Sequence, residues 1–163
     1  MNRLTRICTL AALATVSSLA VSQDAVKKAA SQAEATQAIE ARQAIFSQIN
    51  DLNKPMGPMV RPNTPVDTAV VATNAAKIAE LAAKIPAAYL VDTRGFTGKT
   101  RALDGIFSSQ ADFKAKADGL VTAANAAATA AKAGDEAATK TALQNMGRAC
   151  GACHDPYRGP AQQ

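Results

Sequence analysis

Apolar residues recur at helical spacing in four stretches of the chain, and proline and glycine fall between them. In the first, about 24–53, Ile39, Phe46, Ile49 and Leu52 form a stripe with Arg42 set into it. Pro55 and Pro58 end it. In the second, about 66–85, the stripe is Val71, Ile78, Leu81 and Ile85, with Asn74 as its one polar member. Lys77, Glu80 and Lys84 lie beside that stripe and read as a solvated face. The third, about 103–132, places Ile106, Phe107, Phe113 and Leu120 first, then the alanine run "AANAAATAAKA", which allows close packing. The fourth opens at Asp135, an acidic N-cap candidate, and runs to about Asp155. Between them lie "KPMGPMVRPNTP" (54–65), "VDTRGFTGKT" (91–100) and "AGDE" (133–136), with a weaker break at Pro86. No stretch alternates as a half-buried strand does. The pattern predicts an all-α fold, an antiparallel four-helix bundle. A three-helix bundle with a frayed second helix and an elongated hairpin assembly are the alternatives.

The first 22 residues do not belong to that pattern. Arg3 and Arg6 precede the apolar run "ICTLAALATVSSLA", and small residues follow at 18–22. This is the layout of a secretory signal peptide, which predicts a leader over 1–22, one mature domain over 23–163 and a periplasmic location. The run is too short to span a bilayer comfortably, so no stable membrane insertion is expected. Cys8 leaves with the leader, and the mature chain keeps Cys150 and Cys153 alone. Losing Arg3 and Arg6 leaves 16 basic against 13 acidic residues, a charge of +3 rather than +5. That excess is too mild and too scattered for a nucleic-acid partner.

The two remaining cysteines stand in Cys150-Gly151-Ala152-Cys153-His154, with nine residues after the histidine, the only one in the chain. C-x-x-C-H is the spacing of c-type haem attachment. Two thiols add across the porphyrin vinyl groups as thioethers, and the next residue brings an imidazole to the iron. On a helix Cys150, Cys153 and His154 share a face. A plain disulfide would not need the histidine. A thioredoxin-like site wants a βαβ setting, and structural zinc wants four ligands. Leu143, Met146, Gly147, Cys150, Cys153, His154 and Tyr157 form one stripe. Glycine inside a helix costs about 1 kcal/mol against alanine, a cost that a flat macrocycle against Gly147 would explain.

The position of the motif, on the last helix of an exported four-helix chain, resembles that of the class II cytochromes c, the cytochrome c′ family. "DAVKKAASQAEATQAIEARQAIF" resembles the family's first helix, "MGPMV" and "PVDTAVV" its turn and second helix, "GIFSSQADFKAKADGL" its third, and "CGACHDPYRG" its ending. The resemblance implies one covalent haem c on Cys150 and Cys153, with His154 as the iron ligand. It places Arg42, of the pair Arg42-Gln43, near a haem propionate, Phe46 on the open side of the iron, and Tyr157 and Arg158 in the haem surroundings. Phe107 replaces the family's usual tryptophan. Pro156 departs from the pattern. It lacks an N–H for the carbonyl of Ala152 and biases Asp155 away from helix, so it is expected to end the helix early and shift Arg158.

Family members with Met at the position of Phe46 are six-coordinate electron carriers, and those with an apolar residue are five-coordinate and bind small gases. A phenyl ring cannot ligate iron. Met56 lies ten residues further on, about 15 Å along a helix axis and beyond Pro55. The expectation is a five-coordinate monohaem cytochrome, not an enzyme, with NO or CO as ligand and a periplasmic redox protein as partner. The alternatives are a Met-ligated six-coordinate carrier, using Met56 or Met59, and a disulfide-bearing helical protein without haem. The resemblance also implies a homodimer through the first two helices.

Overall fold

The computed structural model describes residues 25–161. The expected leader over 1–22 lies outside them. A two-residue strand β1 (Lys27–Lys28) precedes α1 (Gln32–Asn53). A 3-10 turn (Gly57–Val60) leads to α2 (Thr68–Ala82) and the single-turn α3 (Ile85–Ala88). β2 (Val91–Asp92), α4 (Gly105–Ser108), α5 (Gln110–Lys132) and α6 (Glu136–Tyr157) follow. The four long helices, α1, α2, α5 and α6, make the bundle.

Several boundaries differ from the sequence expectation, each for a local reason. α1 begins at Gln32 rather than near Asp24, because Ser31 caps it, accepting from the Glu34 N–H at 3.2 Å. The Glu34 carboxylate in turn accepts from the Ala30 N–H at 2.6 Å, a reciprocal cap. Residues 27–28 are pulled aside to pair in parallel with β2. The second stretch divides after Ala82, and Pro86 falls in the first turn of α3, where its missing N–H goes unneeded. The third divides at Ser109, whose φ of −129° and ψ of 48° are not helical. Asp135 caps α6 as expected, accepting from the Ala138 N–H at 2.9 Å.

Pro156 does not end α6 early. The helix continues to Tyr157, and the Arg158 N–H closes its last turn on the carbonyl of His154 at 2.9 Å. The proline sits so near the helix end that it costs one bond, at the carbonyl of the exposed Ala152.

The seams α2–α5 and α5–α6 are the closely packed ones, and α1 lies against α2. Alanine lets these helices approach: Ala75, Ala79 and Ala82 on α2, Ala117, Ala124, Ala127, Ala128 and Ala131 on α5, and Ala142 on α6 are all buried. Asn74, the polar member of the α2 stripe, donates to the carbonyl of Leu52 at 2.9 Å and ties α2 to the end of α1. The α1–α6 seam has almost none of this packing. It is spanned at one end by a strap, residues 97–103. On one side Gln32 bonds the backbone of Thr97, and Gln43 donates to the carbonyl of Lys99 at 2.6 Å. On the other, the Leu103 N–H donates to Tyr157 O at 3.0 Å, and the Gly159 N–H to Arg101 O at 2.7 Å. Gly98 lets the strap lie close, since a Cβ there would stand 2.6 Å from Ile39 Cδ1. Among the described residues no helix is long and apolar enough to cross a membrane.

Candidate cofactor site

The open seam between α1 and α6 is a cavity of about 810 Å³, in the range of cofactor sites. The α6 wall carries Met146, Ala149, Cys150, Cys153, His154 and Tyr157, a run at helical i, i+3, i+4 spacing. The α1 wall carries Ile39, Arg42, Gln43, Phe46, Ile49 and Asn50. Ile78, Ile85, Tyr89, Phe113 and Leu120 line the side formed by α2, α3 and α5. Every residue singled out in the sequence as cofactor-binding lines this one cavity: Arg42, Gln43, Phe46, Cys150, Cys153, His154, Tyr157 and Arg158.

Cys150 and Cys153 are free, partly buried thiols. Burial pushes both up from the ordinary thiol range, so each is held as S–H rather than thiolate. Among the described residues no group of three or more His, Cys, Asp and Glu is placed to hold a metal ion. Two desolvated thiols one turn apart, opening on an apolar cavity beside an imidazole, fit covalent attachment of a flat apolar macrocycle. Burial lowers the basicity of His154, and the positive charges of Arg158 and Arg101 lower it further against the opposing pull of Asp155. The neutral ring that results is the form able to bind a metal.

Three groups that sequence reasoning did not find organise the wall. The Tyr157 hydroxyl donates to Asp112 at 2.5 Å, which pushes its ionisation up to about 12. The Tyr157 ring meets Phe113 edge-on at 5.3 Å, and Phe113 meets Tyr89 at 4.8 Å. The strap brings Lys99 and Arg101 to the cavity mouth. Asp112 and Tyr157 are 45 residues apart and no local pattern joins them. The basic pair in "GKTR" (98–101) was visible, but its place depends on the strap's long-range bonds.

Two expectations change. Gly147 is not on the wall of the large cavity. It is exposed and borders a smaller one of about 420 Å³, with Met56, Val60 and Leu143. A Cβ at Gly147 would meet nothing within 4 Å, so no close approach to protein explains that glycine. The Arg42 guanidinium is on the wall but turned to the 88–93 segment. Nε donates to Ala88 O at 2.9 Å, Nη1 to Thr93 Oγ1 at 3.1 Å, and Nη2 to Val91 O. It also lies 4.4 Å over the Tyr89 ring and 5.5 Å over the Phe107 ring. Among the described methionines, Met146 alone is on the cavity wall. Met56 and Met59 are buried elsewhere.

Comparison with known proteins gives one answer. The family model described as Cytochrome C′ matches residues 37–158. A cytochrome c′ from Rhodopseudomonas palustris is 36% identical over 125 residues, covering 76% of this chain and 82% of its own. The solved cytochrome c prime from Shewanella frigidimarina superposes with a TM-score of 0.68 at 34% identity, covering 81% of this chain and 99% of that one. The nitric oxide complex of a mutant cytochrome c prime from Alcaligenes xylosoxidans superposes with a TM-score of 0.65 at 29% identity, covering 80% and 98%.

Proposed function

The chain belongs to the cytochrome c′ family, and from that premise we propose that it is an exported, five-coordinate haem protein that binds NO or CO at the iron and passes electrons to a periplasmic redox protein. Covalently bound haem c comes with the family. In the proposal Cys150 and Cys153 hold it and His154 ligates the iron. The haem supplies an iron with one position left for a diatomic ligand.

The observation that carries the five-coordinate reading is the composition of the wall facing His154. Phe46 stands on α1 with no ligating atom, and the neighbouring Arg42 and Gln43 are turned to backbone carbonyls. Met146, the one cavity methionine among the described residues, shares a helix with His154 and lies eight residues before it, about 12 Å along the axis. It therefore cannot reach the opposite face of the same iron. The nitric oxide complex of the Alcaligenes xylosoxidans relative supports a gas ligand. The role in this reading is ligand binding and electron transfer. A cleaved leader over 1–22 and a domain over 23–163 complete the reading, with pairing of two copies through α1 and α2.

The test is an optical spectrum of the purified protein from a host with haem-attachment machinery. The expected result is a high-spin ferrous spectrum that shifts on adding carbon monoxide, with haem that acidic organic solvent does not extract. Cys153→Ala should make that haem weakly held or extractable. A low-spin spectrum with a methionine–iron charge-transfer band overturns five-coordination. Protein without haem overturns the whole reading.

A further inference from the structure

We propose that the haem propionates are held at the strap, by Lys99 and Arg101, and that Arg42 is an internal brace rather than their partner. This rests on the attachment to Cys150 and Cys153 proposed above. It departs from the assignment that the family resemblance suggests for Arg42.

A haem tethered by its vinyl edge must put two carboxylates elsewhere on the cavity wall. Burying an unpaired carboxylate is costly, so they belong where cations and solvent meet. Among the described residues five cationic side chains line the cavity, and no carboxylate does. Arg42 is only 3% exposed, and the 88–93 segment takes donors from all three of its nitrogens. Lys116 is partly engaged by Asp112 at 3.7 Å. Arg158 is bridged through its own backbone to Ala102 and, like Arg101, lies close enough to His154 to lower its basicity, but among the described residues its guanidinium has no backbone anchor like that of Arg101.

Lys99 and Arg101 are different. Both are exposed residues on the cavity wall. Both sit on backbone that is fixed from two sides: the carbonyl of Lys99 by Gln43 of α1, and the carbonyl of Arg101 by Gly159 after α6. The Arg101 guanidinium is anchored as well, its Nε donating to Gly159 O at 2.8 Å. That bond leaves both terminal nitrogens on a fixed planar fork, the geometry that suits a carboxylate. The strap thus offers two preset cations at the solvent end of the cavity, and the haem brings two carboxylates.

The experiment follows the propionate carboxylate bands in redox-difference infrared spectra of holoprotein as a function of pH. It compares wild type, Lys99→Gln/Arg101→Gln and Arg42→Leu. Removing the partner cations should raise the pH at which the propionates protonate by about 1–3 units in the double variant, as loss of a nearby opposite charge does for any carboxylate. Arg42→Leu should leave that pH unchanged while lowering the melting temperature. An unmoved pH in the double variant overturns the proposal, whether or not Arg42→Leu folds. A shift in Arg42→Leu equal to that expected of the double variant overturns it too. Wild-type protein without haem would instead remove the attachment on which it rests.

Discussion

Replacing Arg42 by leucine isolates the brace. The substitution removes three charge-assisted hydrogen bonds, to Ala88 O, Thr93 Oγ1 and Val91 O. Bonds of this kind are each worth about 1.5–3 kcal/mol, so the gross loss is roughly 5–9 kcal/mol. Two corrections reduce it. The cation's own desolvation, several kcal/mol, is recovered when the charge goes. Ala88 and Val91 are half-buried, so water can take their freed carbonyls, while Thr93 is buried and its hydroxyl is left without this donor. Losing the contact over Tyr89 at 4.4 Å costs about 1 kcal/mol or more, and the leucine returns a similar amount by burial. The net effect is a destabilisation of about 3 kcal/mol. For a domain of this size that lowers the melting temperature by roughly 10 °C. Thermal unfolding of holoprotein followed by far-UV circular dichroism gives the number. Amide exchange should also quicken across residues 88–93 before it does in α5. A melting temperature within about 3 °C of wild type, with unchanged exchange in that segment, refutes the reasoning. Arg42 would then be an ordinary wall residue.

Three further outcomes follow from the same geometry. Phe46→Ala should speed carbon monoxide binding, and Phe46→Met should give a six-coordinate low-spin spectrum; unchanged spectra and kinetics in both would mean that the ring is not over the iron. Asp92 accepts from the Arg94 N–H at 2.9 Å and from its guanidinium, which holds the carboxyl below its ordinary range against the opposing effect of burial. Its contribution to stability is therefore present above the unfolded pKa, near 4, and lost as pH falls through the lower folded value; acid denaturation of Asp92→Asn should lack that part of the acid limb. Tyr157→Phe keeps the edge-on contact with Phe113 but loses the bond to Asp112, and should cost about 1–2 kcal/mol by urea unfolding without altering the haem spectrum.

What the chain revealed in advance was whatever is periodic or contiguous. The stripe Val71, Ile78, Leu81 and Ile85 is buried throughout, and Asp135 caps α6, because both depend on neighbours within a turn or two. The C-x-x-C-H spacing was legible for the same reason, and it does bring Cys150, Cys153 and His154 to the cavity face of α6. What could not be read depends on distant partners. Ser109 breaks a stretch that looks continuous in apolar periodicity. The turn at 31–34 ended α1 where composition alone would have carried it to residue 24, since the pull of β2 on Lys27 and Lys28 crosses more than 60 residues. Arg42 looked like a group waiting for an anion; its actual partners, at 88–93, carry no side-chain signature, since two of the three are backbone carbonyls. Gly147 misled in the other direction, because a glycine on a helix facing solvent is indistinguishable in sequence from one facing a ring.

The missing seam has a consequence for the order in which the molecule is made. α2, α5 and α6 close on one another through alanine faces, and such a trio can hold together as one cooperative unit. α1 is joined to that unit along the α2 flank, by the bonds of Arg42 to the 88–93 segment and by the strap, with little contact to α6, so it is expected to open at lower free energy than α5. Phe46 and Ile49 pack only in part against the core, so the α1 side of the cavity is its less tightly held wall. Such an opening would expose Cys150 and Cys153 on a scaffold that stays folded. A macrocycle bound between α1 and α6 would bury both faces of the gap. Cofactor attachment and the firm docking of α1 would then be coupled, and limited proteolysis of protein without the cofactor should cut first in the link between α1 and α2.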